Sequence, residues 1–394
     1  MQNLQKIIDQ HVNDGLYPGV EWKINHKGKI FKGKSGCLSL EEKRPIATNT
    51  IYRIWSMTKP IISIVILQMI QEKKIKFEDE LSLFLPQFSN IKVLKNIKAN
   101  IEDVVNIKKQ PTIKDLLMHT AGFSYNFLGD PIGEQYHRLG LFCSENTSLE
   151  EEINLLSKIP LLYEPSTNWV YSVSVDILAR IIEVVSGFTL QDQLKKRIFD
   201  PLEMYNTGFS LSSSNKLNLM SSYHYDNVNN ILIESNTHPR KIANYDYPIN
   251  NKNYSRGGIG LYSTLDDYSN FAEMLLTGKT IYGETILSSE LLKQATTNQL
   301  SEFLLPFEIK NFDIEKLEEN VFEPYGWGLG FRVMIDINKA NGIGSIGEFG
   351  WAGAASTYFL VDPKNDLTAV LMTQVFEGSP TLSKDFVSNI YSNI

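Results

Sequence analysis

Apolar residues along the chain switch between helical and strand spacing, in an order that predicts a mixed fold. From Leu4 to Val12 they recur at the spacing of an amphipathic helix. The next two apolar runs, 20–25 and 30–34, flank a turn-like sequence at 26–28 and predict a β-hairpin. The chain is therefore expected to begin with a helix and continue into a sheet.

The most apolar stretch of the sequence lies between Met57 and Ile70. Its apolar residues cover most of the circumference of a helix, which predicts a helix buried on all sides. Ser63 and Gln68 interrupt it, and it is shorter than the roughly 20 residues that a membrane-spanning helix requires. We therefore interpret it as a core helix and not as a membrane anchor.

The middle of the chain is predicted to be mainly helical, and the last third returns to strands. The predicted helices span 112–118, 149–157, 172–186, 189–199 and 264–276, with a short one from about Ser383. The predicted strands span 330–336, 355–361 and 367–374. This order predicts an α/β fold, an antiparallel sheet flanked by helices with an all-helical insert. The expected domains are an α/β sheet domain, 1–72 with 257–394, and a mainly helical domain, 73–256.

Composition narrows the class of protein. The 394 residues are 42% hydrophobic and 21% charged, typical of a globular chain with a substantial core. A net charge of −7 without a long basic run argues against a nucleic-acid partner. No secretion signal is visible, and Cys37 and Cys143 form no Cys-x-x-Cys pattern, so we predict a cytoplasmic protein.

One short string carries candidate chemistry, Ser56-Met57-Thr58-Lys59. Residues three apart share a face of a helix, so the hydroxyl and the amine are expected to touch. A buried lysine sheds its proton more readily and can then activate a serine nucleophile. The spacing alone also fits an N-cap serine followed by an exposed lysine. A second Ser-x-x-Lys string, Ser213 to Lys216, lies in a polar tract and is predicted to be a solvated loop.

Residues around this string extend the pattern over nearly the whole chain. With them, the sequence resembles the serine β-lactamase and penicillin-binding superfamily, in the branch of class C β-lactamases and family VIII carboxylesterases. The resemblance implies a β-lactamase-like fold. The matching segments are Tyr52 to Lys59, Asp115 to Gly122, Glu164 to Ser172, Pro201 to Met204, Gly257 to Thr264, and Trp351 to Gly353.

The resemblance also implies a set of catalytic groups. Ser56 would be the nucleophile, and Tyr171 would share the handling of its proton with Lys59, to which the phenol would be hydrogen bonded. The backbone N–H groups of Ser56 and Ala354 would form the oxyanion hole. The competing interpretation of Tyr171 is a tyrosine at the start of a helix. His119 falls in a string that the family uses structurally, and we expect a core or capping histidine.

The third motif of the family departs from the β-lactamases. Trp351-Ala352-Gly353 stands where they carry a lysine or histidine that anchors a carboxylate, and Val173 replaces an asparagine. We expect these four residues to contact substrate and to favour neutral esters.

The sequence thus predicts a serine hydrolase that cleaves small carboxylic esters or related acyl compounds through an acyl-enzyme. It implies no metal and no cofactor. The alternatives within the fold are a β-lactamase, a D-alanyl-D-alanine carboxypeptidase or an acyltransferase. The alternative outside catalysis is a binding protein that kept the scaffold. The sequence leaves the oligomeric state open.

Overall fold

The computed structural model describes residues 2–142, 147–226, 228–235, 255–309, 320–376, 378 and 381–394. Cys143 lies outside these ranges. The helices are α1 (Gln2–Asn13), α2 (Thr58–Gln71), α3 (Leu81–Phe84), α4 (Ile113–Leu117), α5 (Pro131–Arg138), α6 (Leu149–Leu156), α7 (Ser174–Ser186), α8 (Leu190–Leu194), α9 (Ser213–Lys216), α10 (Leu265–Thr277), α11 (Ser289–Ala295) and α12 (Thr381–Tyr391). A 3-10 turn, Trp55–Met57, directly precedes α2, and a π-helical turn, Lys195–Phe199, follows α8.

The strands are mostly short. They are β1 (Gly19–His26), β2 (Lys29–Ser39), β3 (Arg44–Pro45), β4 (Ile51–Arg53), β5 (Lys92–Leu94), β6 (Val104–Asn106), β7 (Tyr223–Asp226), β8 (Ile231–Glu234), β9 (Tyr262–Thr264), β10 (Tyr325–Trp327), β11 (Arg332–Met334), β12 (Phe349–Ala352), β13 (Tyr358–Asp362), β14 (Leu367–Met372) and β15 (Val375–Phe376).

The main sheet joins strands from both ends of the described chain. Its eight strands follow the order β10-β11-β12-β13-β14-β1-β2-β3, and all neighbouring pairs are antiparallel. The β1–β2 hairpin predicted around 26–28 is present, and it turns at Lys27 and Gly28, which both have positive φ. The predicted antiparallel sheet built from the two termini is confirmed.

Alternation along the sheet separates two apolar cores. Leu360 and Leu371 pack with α1 and α12, whereas their neighbours Phe359 and Val370 face α10 and the helical segment. The long helix α2 lies inside the second core, where every residue from Thr58 to Met69 is buried. The prediction of a helix buried on all sides is confirmed. The first turn of α2 carries Lys59, one of the candidate catalytic residues.

The segment 73–256 is not helical throughout. It holds the pairs β5–β6 and β7–β8, and β7 also pairs in parallel with β15 next to the main sheet. The expectation of an all-helical insert is therefore wrong in detail, because strands of three or four residues give too little alternation to be recognised. The division into two domains stays a prediction.

One buried carboxyl opposes folding at neutral pH. Glu21 of β1 accepts a hydrogen bond from the Tyr52 hydroxyl of β4 (3.1 Å). Burial raises the pKa of Glu21 from 4.5 to about 7, although that hydrogen bond acts in the opposite direction. The folded protein then keeps a proton that the unfolded chain releases, so stability falls as the pH rises from about 4.5 to about 7.

Glu21→Gln is expected to remove this pH dependence while it keeps the hydrogen bond from Tyr52. We expect the variant to match the wild type at pH 5 and to be more stable by roughly 1–3 kcal/mol at pH 8. Thermal unfolding at the two pH values measures the difference, with the exposed Glu78→Gln as control. An equal gain at both pH values would contradict the assignment.

Candidate active site

The candidate nucleophile lies in a 3-10 turn and not in the helix itself. Ser56 is half-buried between β4 and α2, in the turn Trp55–Met57. Trp55 has a φ of 47°, a conformation that a bulky residue rarely adopts, and its ring packs edge-on against Phe376 with centroids 4.9 Å apart. Packing therefore holds a strained residue next to the serine, as is common at functional sites.

The turn brings Ser56 and Lys59 together. Ser56 lies in the 3-10 turn and Lys59 in the first turn of α2, and a spacing of three residues puts both on one side, with Lys59 Nζ 3.1 Å from Ser56 Oγ. The expected contact is present, although the α-helix begins two residues after Ser56. Lys59 is only 1% exposed, and its amine also donates to the carbonyl oxygen of Gly258 at 2.7 Å.

Tyr171 approaches Lys59 with its ring face. Lys59 Nζ lies 4.6 Å from the ring centroid, and the phenol oxygen accepts a hydrogen bond from the Trp351 indole N–H at 3.2 Å. Within the described chain, no hydrogen bond joins this phenol to Lys59 or Ser56, so the expected phenol–lysine hydrogen bond is not formed. Tyr171 lies ahead of α7, whose N-cap is Val173, and is not itself a cap.

The predicted oxyanion donors lie on two neighbouring turns. Ser56 is the second residue of its 3-10 turn, so its N–H has no partner within that turn. Ala354 is exposed in the turn that follows β12. The N–H groups of Gly353 and Ser356 form the hydrogen bonds of this turn, and that of Ala354 takes no part in them. The two turns touch, because the Thr357 hydroxyl donates to the Ile54 carbonyl at 3.5 Å.

The predicted substrate contacts fall into two groups. Trp351, Ala352 and Gly353 run along the end of β12 beside the candidate site. Val173 is completely buried in the core and its N–H donates to the Ser124 carbonyl, so the expected substrate contact is wrong. The fully buried start of α7 leaves that side chain no open surface.

Aromatic rings form one wall of the site. The Trp351 ring packs edge-on against Trp327 at 4.7 Å and stacks on Phe322 at 5.9 Å. Tyr125 continues this wall beyond Tyr171, with ring centroids 5.4 Å apart. Its ring centroid lies 5.1 Å from Lys59 Nζ, and its ring stacks on that of the half-exposed Phe127.

His119 supports this wall without touching Ser56. It is buried, its Nδ1 lies 3.2 Å from the Ser172 hydroxyl, and its ring centroid is 5.0 Å from that of Tyr171. Burial, and to a smaller extent the nearby Lys59, lower the pKa of His119 well below its usual value. A neutral imidazole therefore packs behind Tyr171, in agreement with the expected structural role.

Two residues of the site were not assigned from sequence. Gly258 supplies the carbonyl that accepts from Lys59, and Asp176 Oδ1 accepts the Gly258 N–H at 2.9 Å. The glycine pair at 257–258 was visible as a motif, but nothing in the sequence connected it with the lysine. Among the described residues, no cluster of His, Cys, Asp and Glu could hold a metal ion. No helix in the described ranges is long and apolar enough to cross a bilayer.

Comparison with known proteins identifies the family. A model of the Beta-lactamase family matches residues 4–388. This chain belongs to the Beta-lactamase family. The resemblance drawn from the motifs and the β-lactamase-like fold are both confirmed.

Individual relatives span almost the whole chain. Esterase EstB of Burkholderia gladioli is 24% identical over 391 residues, which cover 95% of this chain and 91% of the relative. The solved structure of EstCE1, a hydrolase with promiscuous acyltransferase activity, has a TM-score of 0.81 at 24% identity and covers 98% of both chains. Unliganded simvastatin synthase LovD of Aspergillus terreus has a TM-score of 0.79 at 19% identity, covering 100% of this chain and 98% of that structure.

Proposed function

We propose that this protein is a serine hydrolase that cleaves small, neutral carboxylic esters. The observation that carries the proposal is the 3.1 Å contact between Ser56 Oγ and the buried amine of Lys59, in a turn where Ser56 is only half-buried. A hydroxyl beside a buried base is the arrangement that nucleophilic acyl transfer requires. Family membership and the esterase among the relatives agree with it.

The proposed reaction has two halves. Ser56 Oγ bonds to the ester carbonyl carbon while its proton passes to the amine of Lys59. The backbone N–H groups of Ser56 and Ala354 stabilise the oxyanion, and the bond to the alcohol breaks as that proton moves to the departing oxygen. Water then adds to the acyl-enzyme, gives up a proton by the same route, and releases the carboxylic acid and free Ser56.

Tyr171 has a supporting role in this reaction, because its ring lies beside the amine of Lys59. The face of its ring attracts a cationic Lys59, so it stabilises the ammonium that forms in the first half of the reaction. The Trp351 N–H fixes the phenol oxygen within the same wall. Tyr171 is therefore proposed as a partner of Lys59 in proton handling.

Substrate class follows from the third motif. Trp351 places an indole where the β-lactamases of the family have a cationic anchor for a carboxylate, so we propose neutral acyl esters as substrates. A cytoplasmic location and the absence of a cofactor or nucleic-acid partner belong to the same proposal. The β-lactamase, carboxypeptidase, acyltransferase and binding-protein alternatives become outcomes of the test.

The test compares substrates on the purified protein. We expect turnover of p-nitrophenyl acetate and butyrate, with the acyl group trapped on the peptide that contains Ser56 and detected by mass spectrometry. Nitrocefin is expected to react at least about 10²-fold more slowly, because its carboxylate has no cationic anchor here. Nitrocefin turnover at a rate comparable to the esters would favour the β-lactamase alternative.

Two further outcomes separate the remaining alternatives. Added alcohol that diverts most of the acyl group from water into a new ester would favour an acyltransferase. A protein that neither turns over esters nor is labelled at Ser56 by a fluorophosphonate would be a binding protein, and the proposal would be wrong.

A further inference from the structure

A pair of glycines links the start of α7 to the candidate base. Gly258 accepts a hydrogen bond from Lys59 Nζ at its carbonyl oxygen (2.7 Å) and donates its N–H to Asp176 Oδ1 (2.9 Å). One residue therefore touches both side chains through its own backbone. Asp176 is 2% exposed, lies in the first turn of α7, and takes no direct part in the proposed proton transfer.

Close packing makes this link rigid. A Cβ at Gly257 would lie 2.6 Å from the Cβ of Ala179, and a Cβ at Gly258 would lie 2.5 Å from Asp176 Oδ2. Both distances are shorter than any relaxed contact, so only glycine fits at either position. The pair is held against α7, and the Gly258 carbonyl has little freedom to leave the amine.

Charges around Asp176 come from several elements. Lys59 of α2 and Arg256 both attract the carboxyl of Asp176. Glu152 of α6 forms an ion pair with Arg256 at 2.9 Å, and its own carboxyl repels that of Asp176. Burial raises the pKa of Asp176, and the hydrogen bond from Gly258 and the charge of Lys59 act against that shift. A buried carboxyl beside two basic side chains and a backbone N–H is satisfied only while this arrangement persists.

We propose that Asp176 is a positioning residue for Lys59. By accepting the Gly258 N–H, it fixes the peptide whose carbonyl holds Nζ, so the amine points at Ser56. The inference rests on the proposed function and assigns to that site a residue outside its reacting atoms. Misplacement of a catalytic group by about 1 Å costs about 10²-fold in rate, which sets the scale of the expected effect.

The test is Asp176→Ala, with Asp176→Asn as the conservative variant that keeps an acceptor. We expect Asp176→Ala to lower kcat for p-nitrophenyl butyrate by about 10- to 100-fold while KM changes by less than about 3-fold. Asp176→Asn is expected to recover at least about a third of the wild-type kcat.

Asp192→Ala is the matched control. Asp192 also lies in the first turn of a helix, α8, and its carboxylate accepts from the Thr189 hydroxyl. It is exposed, and it is not a hydrogen-bond partner of Lys59, whose amine bonds to Ser56 and Gly258. We expect it to lose a little thermal stability and to keep wild-type kcat. If Asp176→Ala behaves like Asp192→Ala after correction for the folded fraction, the role of Asp176 is structural and the proposal is overturned.

A second readout keeps this test separate from the proposed function. The rate at which a fluorophosphonate labels Ser56 reports activation of the hydroxyl whatever the natural substrate is. If the wild-type protein is labelled but does not turn over esters, only the esterase proposal is contradicted. In that case Asp176→Ala is still expected to slow labelling by about 10-fold or more. Equal labelling rates in wild type and Asp176→Ala would overturn the positioning role.

Discussion

Lys59→Met is expected to lower kcat/KM for p-nitrophenyl butyrate by about 10³-fold, since a positioned base contributes 10²- to 10⁴-fold. Methionine is similar in length and apolar, so it fits the buried start of α2 without leaving a charge or a cavity. It offers nothing that takes the proton from the hydroxyl of Ser56. Steady-state kinetics and thermal unfolding together measure the loss and show that the fold is kept.

Lys59→Arg distinguishes proton transfer from simple charge. A guanidinium carries the positive charge but keeps its proton at every working pH, so we expect an equally inactive enzyme. Activity within about 10-fold of wild type in Lys59→Arg would show that the positive charge alone is needed and would overturn the role as base. Lys216→Met, in the second Ser-x-x-Lys string, is the control that should keep full activity.

The Ser–Lys contact could be predicted from the sequence because it is local. A spacing of three residues places two side chains on one side of a turn in either α- or 3-10 geometry, so the prediction did not depend on the helix type. The helix was expected from Met57, one residue before α2 begins, and Ser56 was expected on a face of that helix, whereas it lies in the preceding 3-10 turn. That turn follows Trp55, whose positive φ accompanies packing against Phe376, far along the chain.

Contacts across the fold could not be predicted in the same way. Gly258 is 199 residues from Lys59 and 82 from Asp176, and only the packed fold brings the three together. The Trp351 indole bonds to Tyr171 across 180 residues, so its role as a hydrogen-bond donor was missed although its place in the third motif was recognised. Motif resemblance located the segments but left their mutual orientation open.

The sheet shows the same limit at the level of elements. The long strands β1, β2 and β14 were recognised by their apolar runs. Strands β10 and β12 were missed, because three or four residues rich in glycine and aromatic side chains give no clear alternation. The predicted strand at 355–361 begins three residues late in the structure, after a turn at Ser356 with a φ of 64°.

Gly353→Ala is expected to lower kcat by about 10²- to 10³-fold, the amount that one oxyanion donor contributes. A Cβ at Gly353 would lie 2.6 Å from the carbonyl oxygen of Ile54, two residues before Ser56. The methyl group therefore pushes the end of β12 away from the nucleophile turn. The N–H of Ala354 moves with it, so in the proposed oxyanion hole it is expected to be displaced from the N–H of Ser56.

Gly208→Ala is the matched control for this substitution. Neither glycine has a positive φ, and a Cβ at Gly208 meets only the flexible side chain of Gln191, at 3.4 Å. We expect Gly208→Ala to keep the wild-type kcat. For Gly353→Ala we expect a KM within about 3-fold of wild type, because ground-state binding of the substrate does not use the oxyanion. A Gly353→Ala protein that folds and keeps wild-type kcat would show that the end of β12 contributes no donor to the reaction. The stabilising groups would then lie elsewhere along the turn that carries Ser56.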